Sequence, residues 1–586
     1  GDYGTVIEAH VNAGFQTLFT MVGDVGGLYG LTVYYPNQNA ANPIDTGWVA
    51  TSDVGHNRFI KNMTLLNAYS GFRFGMSGTG GFTACPEISY VKGTVLSRGL
   101  ELFNGYGAGG AHHITFNNSY WADAGTAYHA PLKSTLDAWT RANGTAFTFG
   151  RIEIYNFHHL SAEAYNIGMR FGGGNTAGGV GTWGSNLAFV SLTNTNTALQ
   201  VDDASVGRFN AFIRSTLEGS LYSIKNNVTN HTIKVTDTTL TGATAGSVSI
   251  ASPGTSPTAY TTRDLPKITR AVLYDVTKAP YNAPRVSSLV SPTGFPFDDA
   301  TSAIQSALTD AGNAGGGIVY LPAGWYRING NLSIPANVEL RGTGSGKTGA
   351  YISYGTWLAV YGGENTSTPQ SDTAAVTLNG DGSGINAINV IWPNNPFEAE
   401  GTLKTYPFAF RINAKDAYVL YTNFKNPYHG IDVANGSDRH LIRSVYGSYS
   451  NTFIRVGTST EGWIEELYDM NPSPWTGISE FKMKIPWMEP GTLLINYQKT
   501  QKFIELNGPS NEHIMSILAY APGTLVHVTS GNADIWNVGA DQSGEWCVNA
   551  VGGTVKIMNS VNTVHGTNVN TGSGIVESYN EHYVIL

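Results

Sequence analysis

Charged side chains are scarce in this sequence: Asp, Glu, Lys and Arg supply 13% of its 586 residues, against about 25% in an average soluble domain. The formal charge is −9 and no run of five or more Lys and Arg occurs, so a groove tracking nucleic-acid phosphates is not expected. Cysteine is scarcer still. Cys85 and Cys547 alone exclude a disulfide framework and leave one bridge open. Long apolar runs are missing too: the most apolar stretch, GFQTLFTMVGDVGGLYGLTVYY from Gly14, is broken by Asp24 and five glycines, so no membrane-spanning helix is expected. The chain opens Gly1-Asp2-Tyr3 without Met or a signal peptide, which fits a processed product or a fragment.

What is abundant is glycine, with 71 residues, and aromatics, at 11%. A surface poor in charge must be solvated by Asn, Thr, Ser and Tyr, a balance that suits extracellular or cell-surface proteins meeting sugars. A turn-rich β protein without a sugar ligand has the same composition, and both readings stay open here. Eight Asn-x-Ser/Thr triplets occur, a number that an Asn- and Thr-rich chain reaches by chance.

Repetition carries more information. AYVLYTNF from Ala417, HLIRSVYG from His440 and GWIEELYD from Gly462 start 23 and 22 residues apart, and Ile431 and Ile454 mark a second strand 23 apart. HIMSILAY, ADIWNVGA and GTVKIMNS continue the series at spacings of 20. Each period holds two or three short strands rich in Val, Ile, Tyr and Thr between Gly, Asn, Asp and Ser turns, with no room for a crossover helix. Strands at a near-constant offset then pair with their counterparts one coil later, in parallel. The fold predicted is all-β, a parallel β-helix whose right hand follows from the crossover preference.

The pattern occurs twice. LTVYYPNQ at Leu31 and INVIWPNN at Ile388 lie 357 residues apart, and NAYSG at Asn67 and NPYHG at Asn426 lie 359 apart. Two tandem β-helices are predicted, over residues 1–285 and 286–586, with a Ser/Thr/Gly-rich loop or linker near 239–264. Between the copies, Asp299 caps a predicted helix over 300–309, with Ala303, Ile304, Ala307 and Leu308 as its apolar stripe and Gly312 as its stop. The helix plugs an open coil. No such opening precedes the first copy, which is predicted to lack its N-terminal cap; the missing piece, similar to residues 302–344, is expected to be supplied by a separate fragment or a neighbouring subunit.

The run DDATSAIQSAL, then GGGIVYLPAGWY, then LSIPANVELRG resembles the start of the pectin-lyase-like superfamily of polysaccharide-degrading β-helices. Two helices in series look most like exo-β-1,3-glucanases with tandem β-helices, and less like phage tailspike depolymerases. The resemblance implies a polysaccharide substrate along the outside of a helix or between two helices.

Hydrolysis would need two carboxyl groups across the scissile bond. Glu465, Glu466 and Asp469 are the densest acids, with Asp432 and Asp438 one or two coils earlier, and coils stack about 4.8 Å apart. Trp463, Tyr468 and Trp475 are the candidate sugar platform. If this cluster is catalytic, Glu465→Gln or Glu466→Gln abolishes turnover and leaves stability nearly unchanged; the alternative is that such an acid bonds a turn backbone. In the first copy FGRIEIYNFHHL gathers Arg151, Glu153, His158 and His159, while its counterpart FIELNGPSNEHI lacks the Arg, and Arg98 is replaced by Thr452. Either Arg suits a uronate carboxylate, or pairs with Glu101 or Glu153. The pairs His112-His113 and His158-His159 invite a metal, but neighbours on a strand point to opposite faces, so no metal or other cofactor is expected. The function expected is a secreted glycoside hydrolase acting on a glucan-like or other neutral polysaccharide, with a non-catalytic fibre or carbohydrate-binding protein and a polysaccharide lyase as alternatives.

Overall fold

The computed structural model describes residues 4–22, 26–56, 58–76, 83–84, 86–106, 109–152, 155–173, 185–202, 209–229, 231–252, 260, 262–264, 266, 268, 270–286, 298–343, 355–395, 404–469, 500–520, 522–543, 546–564 and 569–584. The fold is all-β, and its strands stack in parallel in the manner of a parallel β-helix. Two compact units divide it: Gly1–Ser256 with Met558–Val561 and Tyr579–His582, and Pro257–Ile557 with the remaining C-terminal residues.

In the second unit the repeat read from the sequence is the register of the ladder. Tyr418 pairs with Leu441, Leu441 with Trp463, and Trp463 with His513. Ile431, Ile454, Ile504, Val526 and Val548 form a second file. These isoleucines and valines are buried in one core, because alternation in each strand sends every second side chain inward. The helix Thr301–Asn313 packs Ile304, Ala307, Leu308 and Ala311 onto the same core. Its N-cap is Ala300, not Asp299; Asp299, one residue earlier, accepts from the backbone N–H of Thr301 at 3.0 Å. Gly312 does not stop it; the chain leaves at Gly315, whose φ of 84° suits glycine.

Alternation fails at one position per coil. Tyr421, Ser444, Glu466, Ser516 and Asn537 all have φ between 51° and 59°, and the ladder steps over them: Leu420 pairs with Arg443 and Thr422 with Val445. Asn62, Tyr90, His113, His159, Phe189, Arg214 and Asp237 repeat this in the first unit, with φ between 46° and 55°. Each such corner turns the strand and shifts the in-out pattern by one residue. A third file, Asp416, Arg439, Glu461 and Asn511, shares the conformation. Asn511 is exposed, so Asn511→Val isolates backbone strain; a stability loss of about 1–2 kcal/mol is expected, read by urea unfolding, with Asn511→Gly near neutral.

Three expectations change. The Ser/Thr/Gly-rich stretch is not simply a linker: Thr239–Ala245 and Val248–Ala251 are strands paired with the preceding coil, since Thr favours strands as Val does. The division at 285/286 falls too late, because Leu273–Asp275 already pairs with Gly317–Tyr320 of the second unit. The helices Ser119–Ala122 and Lys133–Asn143, an insertion between coils, were not anticipated. They bury Leu96, Trp121 and Leu136 as a satellite cluster.

Candidate functional site

The strand Trp48–Ser52 and the coils that follow it place a row of polar residues on the outer face of the first unit. Thr51 pairs with Arg73, Arg73 with Glu101, Glu101 with Thr148, and Thr148 with Arg170, while the alternate residues Phe72, Leu100, Phe147 and Met169 fill the core. Beside this row the Trp48 indole lies beneath two guanidinium groups, Arg98 at 4.5 Å and Arg73 at 5.5 Å from its ring centre. Such stacking fixes the plane of each cation and is worth about 0.5–2 kcal/mol.

An open cleft of about 510 Å³ sits here, lined by Phe15, Gln16, Asp45, Asp53, Arg73 and Arg98 among others. Arg73 donates from Nη2 to Asp53 at 2.7 Å. Arg98 is held differently: its Nε donates to Ser70 Oγ at 3.0 Å, and it forms no ion pair among the described residues. Its terminal nitrogens donate to no acceptor there either: of the two carboxylates lining the cleft, Asp53 is taken by Arg73 and Asp45 accepts from the backbone N–H of Gly47, so a planar cation edge faces the cleft. Phe15, 41% exposed, adds an apolar surface. Glu101 is half-buried. Burial raises its pKa above the ordinary carboxylate value, against the pull of Arg98, Arg73 and Arg170.

The acids of the second unit are placed otherwise. Glu465 is 3% exposed; the guanidinium of Arg443 and the hydroxyl of Tyr260 both donate to its carboxylate. Trp463 lies under the Arg263 guanidinium at 5.1 Å and packs against His513. Glu466 is a left-handed corner residue, buried, and accepts from Ser444 at 2.5 Å. Tyr468 stacks on Tyr446 at 5.6 Å and is buried. Asp432 is bridged by Arg411 and Arg455 at 2.6 and 2.8 Å. The backbone of Asp469 ends the strand Trp463–Asp469; its side chain, Glu153 and Trp475 lie outside the described residues. Arg151 stands at a corner with φ 48°, six residues along the paired strands from the Arg98 level, roughly 20 Å at the usual rise. The structure thus separates Arg151 from Arg98 and sets Arg98 beside Arg73, Trp48 and Glu101. Arg73 and Glu101 were missed as site residues because their partnership runs between coils; once the register is known, counting from Thr51 finds both.

Residues 297–356 match the family model described as Rhamnogalacturonase A/epimerase, pectate lyase-like. Mannuronan C5-epimerase AlgE1 of Azotobacter vinelandii is 38% identical over 109 residues, 16% of this chain and 8% of that protein. Alginate lyase 7 of the same organism is 47% identical over 57 residues, 8% of this chain and 7% of that protein. The chain therefore spans less than a tenth of the length of these relatives. A solved structure of iota-carrageenase complexed to iota-carrageenan fragments aligns with a TM-score of 0.31 at 12% identity, covering 52% of this chain and 61% of that one. The pectin-lyase-like resemblance is thus supported over residues 297–356.

Proposed function

We propose that this chain is an enzyme acting on an acidic polysaccharide, a uronan, held in the Arg98 cleft of the first unit, and that each unit is a right-handed parallel β-helix. The observation that carries the substrate class is Arg98, stacked on Trp48 and in no ion pair among the described residues, in a cleft it lines. A neutral glucan offers such a cation hydroxyl acceptors but no counter-charge, whereas a uronate carboxylate completes it with a charge-assisted pair. The matched segments support the same class, since the relatives are named for mannuronan and alginate.

The chemistry that fits is proton removal at the carbon next to the carboxylate. Pairing that carboxylate with Arg98, with Arg73 close by, stabilises the negative charge that grows on it as the proton leaves to a base. In a lyase the carbon–oxygen bond to the next sugar then breaks, and a neutral carboxyl group hands its proton to the departing oxygen. Glu101, kept protonated to higher pH than an ordinary carboxylate, is assigned that role. In an epimerase the proton returns to the opposite face instead. Hydrolysis is the reading displaced by this one.

Incubation with a panel of uronans and neutral glucans tests the proposal, with unsaturated products, reducing ends and solvent hydrogen exchange into the sugar read together. Unsaturation or exchange on a uronan is expected. Reducing ends without unsaturation, on a neutral glucan, would overturn it. Arg98→Ala is expected to raise KM for the uronan about 10- to 100-fold, the loss of one hydrogen-bonded charge pair, with Arg98→Lys in between because it loses the planar fork.

A further inference from the structure

Four histidines of the first unit were set aside because strand neighbours diverge. The corner conformation removes that objection. His113 and His159 have φ of 51° and 52°, so each lies on the same side as the residue before it. His112 Nδ1 comes within 3.0 Å of His113 Nδ1, and His158 Nδ1 within 2.9 Å of His159 Nδ1. Register pairs His112 with His158, and the rings stack coil on coil, at 4.9 Å for that pair and 4.6 Å for His113 on His159. Nitrogens of His112, His113 and His158 all lie within 4.8 Å of one another.

We infer that this four-histidine cluster is a binding site for a divalent transition-metal ion, with the His112–His113 Nδ1 pair as its chelating ligands. The spacing selects the class of ion. Two nitrogens about 2.05 Å from a metal and at right angles are about 2.9 Å apart, the cis spacing of square-planar or octahedral ions such as Cu²⁺ and Ni²⁺, whereas a tetrahedral ion spreads them to about 3.3 Å. On binding, the imidazole that carries its proton on Nδ1 shifts it to Nε2, leaving both Nδ1 lone pairs for the ion. A carboxylate oxygen of Glu87 lies within 4.8 Å of a ring nitrogen of His112. Glu87 is itself held by Lys61 at 2.6 Å. Entry is provided on the His113 side, where an open cleft of about 460 Å³ is lined by His113, Tyr90, Asn62, Thr64 and Lys92. The site is separate from the Arg98 cleft, and its test does not depend on the proposed activity.

The experiment is titration of tag-free protein with Cu²⁺ and Ni²⁺ by calorimetry, with electron paramagnetic resonance of the Cu²⁺ form. Imidazole nitrogen coupling is expected in the spectrum. His113→Asn with His159→Asn keeps residues that tolerate the left-handed corner, so the fold is expected to persist, by circular dichroism, while affinity falls by more than about a hundredfold. The single variant His112→Ala is expected to weaken binding and leave fewer coupled nitrogens. Equal binding by the parent and the double variant, a spectrum with oxygen ligands only, or no binding by the parent would each overturn the site.

Discussion

Glu101→Gln is expected to lower turnover of the uronan about 10²- to 10⁴-fold, the usual contribution of a positioned proton donor, with little change in KM. The amide keeps the shape and the hydrogen-bonding edge of the side chain but has no proton to give to the departing oxygen. The pH profile separates this role from simple packing. Burial raises the Glu101 pKa, so the active, protonated form survives above the ordinary carboxylate range and activity declines as pH climbs through the raised value. That alkaline limb is expected to vanish in the residual activity of the variant. Stability carries a matching sign: a carboxyl group whose folded pKa lies above its unfolded one contributes stability at low pH and loses it as pH rises through that window. Glu101→Gln is therefore expected to flatten the fall in melting temperature with rising pH in that range. An unchanged alkaline limb in the variant would remove Glu101 from the reaction.

The contrast between what the sequence made legible and what it hid has a physical cause. The 22- and 23-residue spacing was legible because parallel stacking repeats the core contact once per coil, so Ile431 and Ile454, or Tyr418 and Leu441, recur at the distance their register requires. The capping helix was legible for a similar reason, an apolar stripe behind an Asp. Corners were hidden. A left-handed residue in a strand has no strict sequence requirement, and here Tyr, Ser, Glu, His, Phe and Asn all occupy it. Without the corner, His112 and His113 read as divergent. Cover was hidden as well. Nothing within GWIEELYD reveals that Tyr260 and Arg263, some 200 residues earlier, lie over its Glu and Trp, because side-chain cover on the outer face follows neither the period of the coil nor that of the strand.

The same cover gives the largest expected change in stability. Glu465→Ala is expected to destabilise the second unit by about 3–5 kcal/mol, the range seen when one partner of a buried ion pair is removed. Arg443 is 1% exposed and its Nε donates to Glu465, so truncating the acid removes a directly bonded counter-charge from a guanidinium inside the protein. Its Nη2 contact with the Arg263 carbonyl, at 2.6 Å, does not neutralise it. Tyr260 loses the Glu465 acceptor too; burial, and next the Glu465 charge, hold its pKa well above the usual value for a phenol, so the hydroxyl stays protonated. Residues 260 and 262–264 are then expected to exchange amide hydrogen faster, while Glu465→Leu combined with Arg443→Met recovers much of the loss because no charge remains to be solvated. With the reacting groups assigned to the first unit, turnover by protein still folded is expected to be unchanged, the reverse of what an exposed catalytic acid predicts. A Glu465→Ala protein as stable as the parent but inactive would return catalysis to the second unit and sink the Arg98 assignment with it.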